Sequence, residues 1–374
     1  MPLVWPSEFA WGNQYDLQTT PELEEALRND AAVAIGVSGG KDSCACAIAV
    51  NDHLDRIAHH GPRILIHADL GRVEWRQSLD VCHRLATRLA LELVVVERPT
   101  GDLLARWQQR WRNNVKRYAN LECVKLILPW STSGMRFCTS ELKTAPICRE
   151  LVNRFPGRTI VSVIGIRAQE SGRRARRPVV AAQPKLVSRR NASSGMDWHP
   201  LLSWTRSEVL DYLTEKAFDL HEAYTVFGSS RVSCAFCVLA SQADLKSASF
   251  CDTNHEIYRA LVTLEVDSTF SFQEHSWLCD IAPALLDNNT RPKALGAKDR
   301  AKRREIAEGR IPEHLLYEAG WPNCVPTVPE AELLAKVRRE VAAAVGISIA
   351  YTKPAEIVAR YAELIALKKM NHKP

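Results

Sequence analysis

Residues 34–46 read AIGVSGGKDSCAC. An apolar run over 32–37, AVAIGV, stops at Ser38, and Gly39, Gly40, Lys41, Asp42 and Ser43 follow directly. An unbroken apolar run of this length fits a strand buried on both faces. A helical pattern resumes over 43–58. A strand that passes through two glycines straight into a helix places unpaired backbone N–H groups and a positive dipole end at the turn. Glycine lets the oxygens of an anion come close to that backbone. Lys41 adds a point charge, and Ser38 and Ser43 add hydroxyl donors. The construction suits a pyrophosphate group. It is not the G-x-x-x-x-G-K-[ST] phosphate loop, which this chain lacks there. The plainer alternative is a turn with a capping Asp-Ser, and six specified positions in a strand–helix context weigh against it.

Around this loop the chain alternates strand and helix. RILIHAD (63–69) reads as a second strand, 74–90 as a helix, LELVVVE (91–97) as a third strand, 142–154 as a helix and TIVSVIGI (159–166) as a fourth strand. Such alternation implies a parallel sheet with crossover helices, an α/β fold. Thr20-Pro21-Glu22 opens a helix before the first strand: a cap, proline in the first turn, then an acid. After Trp198-His199-Pro200, Thr205 caps a helix over 206–216, and Trp204-Thr205 is a packing residue plus a cap. Beyond about 240 the chain is mostly helical, with Leu333, Leu334, Val337 and Val341 on one face and a last helix opening at Thr352-Lys353-Pro354. The expected organisation is an extension over 1–30, a nucleotide domain over 31–240 and a helical region over 241–374. At 374 residues one core is stretched, which agrees with more than one region. Net charge is +6, which permits a phosphorylated or nucleic-acid partner without demanding one. No apolar run reaches the length of a membrane span, and MPLVWPSEFAWGNQ has no basic segment ahead of an apolar core. Together with eleven cysteines, an odd count without secretory context, this points to a reducing cytoplasm and to thiols or metal ligands.

S-G-G-K-D-S after a first strand resembles the PP-loop of the ATP pyrophosphatase superfamily. Three further strings narrow the resemblance: RFCTSELKTAPI (136–147), GIRAQESGRRA (165–175) and HPLLSWTRSEVLDYL (199–213). In this order they are similar to the phosphoadenosine phosphosulfate reductase-like branch, over roughly residues 31–240. The resemblance implies a Rossmann-like, adenine nucleotide alpha hydrolase-like, doubly wound parallel sheet with a mostly helical C-terminal region. It implies ATP and Mg2+ as ligands, with Ser38, Gly39, Gly40, Lys41, Asp42 and Ser43 around the phosphates. Asp42 holds magnesium or caps the helix, and the end of the second strand at Asp69 contacts adenosine. Gly165 opens the motif whose Arg167, Arg173 and Arg174 bind phosphate or sulfate through forked donors. Lys41, Asp42, Arg167 and Arg173 are the catalytic candidates.

Cys234-x-x-Cys237 is a spacing that holds zinc or an iron–sulfur cluster, or forms a redox pair. The resemblance implies a [4Fe-4S] cluster on Cys138, Cys234 and Cys237, whose fourth iron is either open or closed by another cysteine, Cys251 being the nearest candidate and Cys148 behind it. Cys44, Cys46, Cys82 and Cys123 read as core or surface residues. Two departures set the chain apart from sulfonucleotide reductases. Phe137-Cys138 stands where cluster-bearing reductases place adjacent cysteines, and the C-terminal Cys-Gly-Ile/Leu-His motif is absent. With a complete S-G-G-K-D-S, the pattern most resembles the ATP pyrophosphatase component of DNA phosphorothioation systems. That implies adenylation of an acceptor with pyrophosphate release, then sulfur transfer. The implied partners are nucleic acid, DNA before tRNA, a sulfur donor such as a cysteine desulfurase, and a homo-oligomer or multi-subunit complex, with no membrane. The rivals are a sulfonucleotide reductase, an ATP-sulfurylase-like adenylyltransferase, and a non-catalytic cluster-bearing regulator.

Two basic stretches stand apart. In R-W-Q-Q-R-W-R-N-N-V-K-R-Y (106–118), Trp107 and Trp111 are four apart, the spacing of a buried stripe on a basic amphipathic helix. That reading leads over base stacking. Lys298, Arg300, Lys302, Arg303 and Arg304 read as a solvated helix face.

Overall fold

The computed structural model describes residues 15–371. Residues 1–14, the segment read above for a secretory pattern, lie outside the described residues. Helix α1 (Pro21–Arg28) starts where expected: the Thr20 side chain accepts from the Leu23 N–H, with proline in the first turn. Strand β1 (Ala32–Gly36) has period-two contacts that feed two cores. Val33 and Ile35 pack with α2 (Lys41–Arg56) on one face of the sheet, while Ala32 and Ala34 pack with Ile64 and Ile66 on the other. The chain continues through β2 (Arg63–Asp69), α3 (Ser78–Leu89) and β3 (Glu92–Glu97). It then runs through α4 (Leu103–Ala119), which belongs to a second unit, before α5 (Ala145–Arg154) and β4 (Thr159–Ile164). Two more strands, β5 (Val180–Ala182) and β6 (Ser194–Trp198), precede α6 (Arg206–Glu215).

The sheet order is β3-β2-β1-β4-β6-β5. Every pair is parallel except the edge pair β5–β6. The chain steps outward from β1 to β3, then returns to place β4 on the other side of β1. The order therefore reverses between β1 and β4, the switch point where open parallel sheets bind ligands beyond their carboxyl ends. The loops leaving β1 and β4 are the SGGKDS segment and the GIR segment. This is the Rossmann-like, doubly wound sheet that the motifs implied. Trp204 is 3% exposed and donates to the Asp16 carbonyl at 3.1 Å, and Thr205 closes a capping box with Glu208, so the pair packs and caps.

The structure divides into two compact units. One runs to Thr100 and resumes over Phe137–Ala235; the other joins Gly101–Arg136 to Phe236–Pro374. The motif-bearing span 31–240 includes residues of both units. Local patterning does not show that 101–136 leaves the first unit, because that grouping is made by contacts distant in sequence. Among the described residues the second unit contains α4 and the helices α7 (Gln242–Ser249), α8 (His255–Ser268), α9 (Thr290–Gly309), α10 (Val328–Val345) and α11 (Pro354–Asn371). Trp107 and Trp111 of α4 are buried, as their spacing predicts, with Trp107 edge-on to Trp130 and Phe272. Arg338, fully buried, donates to the carbonyls of Tyr118, Ala119, Ala350 and Tyr351 and so satisfies the end of α4.

One expectation on α9 needs correction. Arg304 is not on a solvated face. It is 2% exposed, its guanidinium lies 3.5 Å from the Phe270 ring centroid, and it donates to the Thr269 carbonyl. Glu308, also buried, stands 3.7 Å away. Lys302 and Arg303 beside it are exposed.

Candidate functional site

The first unit builds the site at the carboxyl end of β1. After Val37 the backbone turns at Gly39, whose φ is +72°, and Gly40 becomes the N-cap of α2. Gly39 is required twice over. Its φ lies in the left-handed region, and an added Cβ would stand 2.8 Å from the Ser78 carbonyl oxygen. Ser43 turns inward and braces the loop: its hydroxyl accepts from the Ser38 N–H at 3.2 Å and donates to the Gly40 carbonyl at 2.8 Å. The N–H groups of Gly39 and Gly40 have no partner among the described residues, and no side chain caps α2. The result is an open helix N-terminus behind a glycine turn.

Lys41 is 4% exposed. Its ammonium reaches the Ser230 carbonyl at 3.4 Å and the Asp42 carboxylate at 3.3 Å, and lies 5.1 Å from the Tyr224 ring centroid. Burial pulls its pKa below the usual lysine range, with Asp42 opposing that shift. Asp42 also accepts from Arg167 Nε at 2.5 Å. One carboxylate thus serves two buried cations, since Arg167 is itself only 4% exposed. Arg167 is held further by Gln169 at 2.9 Å, and its N–H donates to Glu170. Gly165 lets β4 approach α2 closely: a Cβ there would meet the Asp42 carbonyl oxygen and Cys46 Cβ, each at 2.8 Å. Lys41, Asp42 and Arg167 therefore converge. Asp69 closes a local turn by accepting from the Gly71 N–H at 2.6 Å. Arg173 is exposed on the short helical turn Gly172–Ala175, and its neighbour Arg174 pairs with Glu170.

Three further residues shape the site. Tyr224 Oη accepts from the N–H groups of Lys41, at 3.2 Å, and Val232, at 3.1 Å. His221 is buried, accepts from the Ala223 N–H through Nδ1, and sits 3.3 Å from Ser78 Oγ beside Gly39. Burial and then Arg84 depress its pKa to about 4. His67 lies in β2, two residues before Asp69. Its ring lies fully inside, with Nδ1 at 2.9 Å from the Val37 carbonyl and Nε2 at 3.1 Å from Glu74. Burial works to lower its pKa, but hydrogen bonds to Cys82 and Glu74 outweigh that and raise it to about 10. Both ring nitrogens then carry protons and donate, and the imidazolium clamps the last carbonyl before the loop. A histidine closing an apolar strand next to a loop was the available signal for His67. Tyr224 left none, because it sits in an aperiodic stretch and meets the loop only in space.

The candidate cysteines are divided between the units. Cys138 and Cys234 belong to the first, Cys237 and Cys251 to the second. Cys138 lies in the turn Phe137–Thr139, which runs into a π-helical segment, Ser140–Thr144, a geometry frequent at functional sites. Cys234 forms an isolated antiparallel bridge with Glu74, the partner of His67. Cys237 Sγ accepts from the Leu239 N–H at 3.5 Å, and Cys251, buried, lies 3.1 Å from Thr253 Oγ1. Among the described residues no three His, Cys, Asp or Glu side chains are gathered to hold a metal ion. Cys44, Cys46, Cys82, Cys123 and Cys148 are all buried.

No helix among the described residues is long and apolar enough to cross a membrane. No match is found among curated proteins. Solved structures similar to this chain include a phosphoadenylyl-sulfate reductase from Candida auris in a phosphate complex, at 16% identity and TM-score 0.36, covering 57% of this chain and 85% of that one. The U34-tRNA thiolase NcsA of Methanococcus maripaludis, with its [4Fe-4S] cluster, is 14% identical with TM-score 0.36, covering 70% and 84%. An FMN adenylyltransferase of Candida glabrata, in complex with FMN and an ATP analogue, is 14% identical with TM-score 0.34, covering 56% of each chain. At these values the likenesses carry no functional argument. The family model for the phosphoadenosine phosphosulfate reductase domain matches residues 32–239, the span holding the SGGKDS loop, the GIR segment and the C-x-x-C. By that match, over more than half its length, the chain belongs to the phosphoadenosine phosphosulfate reductase domain family.

Proposed function

We propose that this chain binds ATP at the SGGKDS loop and adenylates an acceptor with release of pyrophosphate, in preparation for sulfur transfer. The observation that supports this most is the convergence of Lys41, Asp42 and Arg167 on an open helix N-terminus. An incoming β,γ-pyrophosphate would take over from Asp42 as counter-ion to both cations and accept from the Gly39 and Gly40 N–H groups. Asp42 would then be released toward Mg2+. An acceptor oxygen attacks the α-phosphorus, the bond to the β-phosphate oxygen breaks, and the leaving pyrophosphate is stabilised by charges already in place. A sulfide equivalent from a separate donor would displace AMP from the adenylated acceptor. Nucleic acid is the acceptor class favoured by the resemblance, DNA ahead of tRNA, and Asp69 stands at the strand end where adenosine would lie.

The family's name favours a second reading, reduction of a sulfonucleotide. Two sequence features oppose it: the loop retains all six residues suited to a β,γ-pyrophosphate, and the reductase nucleophile motif is absent. An anaerobic assay with ATP and, separately, phosphoadenosine phosphosulfate decides between them. Pyrophosphate from ATP, abolished by Lys41→Ala, is the expected result. Sulfite from the sulfonucleotide overturns the proposal.

A further inference from the structure

The second unit carries two basic clefts outside the candidate site. The larger, about 500 Å³, is lined by Val266, Asp267, Lys293, Gly296, Arg300 and Arg303. Lys293, Gly296, Arg300 and Arg303 recur at three- and four-residue steps and so share one face of α9. Three cations face one carboxylate there, leaving a net charge of two positive. Arg300 is fixed by donation to the Val266 carbonyl at 3.0 Å, while Lys293 and Arg303 are exposed. Gly296 is a second and independent sign. A glycine inside a helix costs about 1 kcal/mol relative to alanine. Here no conformational or packing demand explains it, because a Cβ at this position would find nothing within 4 Å. What its missing side chain does leave is an open floor to the cleft.

The second cleft, about 240 Å³, is lined by Arg106, Arg110, Asn113, Asn114, Arg117 and Ile127. It lies along α4, with Arg110 donating to the Leu128 carbonyl at 3.0 Å and Arg117 to the Glu122 carbonyl at 3.1 Å. Its lining includes no carboxylate. The two helices both touch one half-buried residue. Phe270 meets Trp111 of α4 edge-on, ring centroids 6.2 Å apart, and carries Arg304 of α9 on its face. The clefts are therefore parts of one packed body.

We infer that these two clefts of the second unit bind the phosphodiester backbone of a nucleic-acid strand. The eleven residues from Lys293 to Arg303, ten helical rises, span roughly 15 Å of helix. That is long for one phosphate group and matches several phosphates of a strand, which recur about every 3.4 Å of rise. A free mononucleotide would leave the second cleft unused. This inference deepens the proposal that nucleic acid is the acceptor, by giving that partner a surface, and it depends on none of the ATP chemistry.

The test measures binding of fluorescein-labelled DNA, as single strand and as duplex, across a salt series by anisotropy, with ATP-dependent pyrophosphate release measured in parallel. Lys293→Gln/Arg303→Gln should weaken binding about tenfold and reduce the slope of log K against log salt by about 0.7 per lost cation on a single strand. Gly296→Leu should block the cleft with no change of charge and no loss of thermal stability. Asp267→Asn should tighten binding by removing the opposing carboxylate. A charge-matched control away from the cleft, Lys302→Gln/Lys336→Gln, should change little. Basal pyrophosphate release, with water as the acceptor in the absence of DNA, should be unaltered in all four. Lys41→Ala should lose pyrophosphate release and keep DNA binding, so failure here is distinct from failure of the ATP reading. The inference is overturned if the control double variant weakens binding as much as the cleft double variant, or if Gly296→Leu binds as tightly as the wild type. It is equally overturned if inorganic phosphate at the same ionic strength displaces the DNA where chloride does not, which would mark a site for free phosphate.

Discussion

Gly39 and Gly40 are adjacent, identical and both in the loop, yet the structure implies very unequal responses to the same substitution. Alanine at Gly39 must adopt φ near +72°, which costs an L-residue about 1–2 kcal/mol. Its Cβ would also stand 2.8 Å from the Ser78 carbonyl oxygen and 3.1 Å from Ser78 Cα. Both are backbone atoms, so relief requires the loop or the start of α3 to move, adding about 1–3 kcal/mol of overpacking. Gly40 has φ −79°, and an added Cβ would meet its nearest neighbours at 3.5–3.6 Å, ordinary contact. Gly40→Ala should cost only the difference between glycine and alanine at an N-cap, up to about 1 kcal/mol. Urea unfolding should therefore give a midpoint for Gly39→Ala well below that of Gly40→Ala. Pyrophosphate release should separate them further, because a displaced loop misplaces every phosphate contact, and misplacement by about 1 Å costs on the order of a hundredfold. If Gly39→Ala unfolds and turns over like Gly40→Ala, the turn geometry does not control the site and the reasoning fails.

Other outcomes follow from the same geometry. Arg167→Ala should depress pyrophosphate release and leave Asp42 with Lys41 alone, while Arg173→Ala, at an exposed position, should have the smaller effect; steady-state assays of both variants compare them. His67 has a folded pKa raised above its unfolded value, so its contribution to stability is full below about pH 6.5 and is lost as pH rises toward 10. His221 has a folded pKa depressed to about 4, so the unfolded chain binds its proton first and stability falls as pH drops from about 6.5 toward 4. Urea midpoints across pH should flatten at the alkaline end in His67→Gln and at the acid end in His221→Gln. Arg304→Ala should destabilise by about 3–5 kcal/mol, since it strands the buried Glu308, while Arg303→Ala changes stability by less than about 0.5 kcal/mol; thermal unfolding separates the two.

The parts of this structure legible in the sequence are those with a local period or a local rule. β2 matches its expected span because RILIHAD is an unbroken run between polar turns. α6 begins at its Thr205 cap, and the loop after β1 sits where two glycines interrupt a buried strand. What escaped was decided by distant contacts. Nothing in 101–136 shows that it packs with 236–374, because amphipathic faces do not name their partners. β5 is three residues long and at the sheet edge, too short to set a pattern. Arg304 is instructive because a local signal existed. Its position continues the stripe Ala294, Ala297, Ala301, Ala307, all buried, whereas Arg303 is one step off it. Charge composition hid a helical period that placed one arginine inside.

The site itself shows why its chemistry is only half written in the loop. SGGKDS supplies Lys41 and Asp42 side by side, and neighbours in sequence would by themselves form a neutral pair. Arg167 arrives from β4, on the far side of the switch point, and shifts the balance to two buried cations against one carboxylate. That surplus is unstable in a low-dielectric setting unless another anion joins it. Tyr224 Oη and the Ser230 carbonyl satisfy the Lys41 N–H and ammonium with neutral oxygens. Neutral acceptors leave the positive charge uncompensated, and a phosphate oxygen in their place would compensate it. Ligand binding at this loop is then an exchange of acceptors around Lys41. Tyr224→Phe removes one of the competing oxygens and leaves the cations intact. The tyrosine acts as a stand-in for ligand oxygen only if that variant binds ATP more tightly; equilibrium dialysis with labelled ATP gives the affinity, and a weaker affinity would make Tyr224 a support of the loop instead.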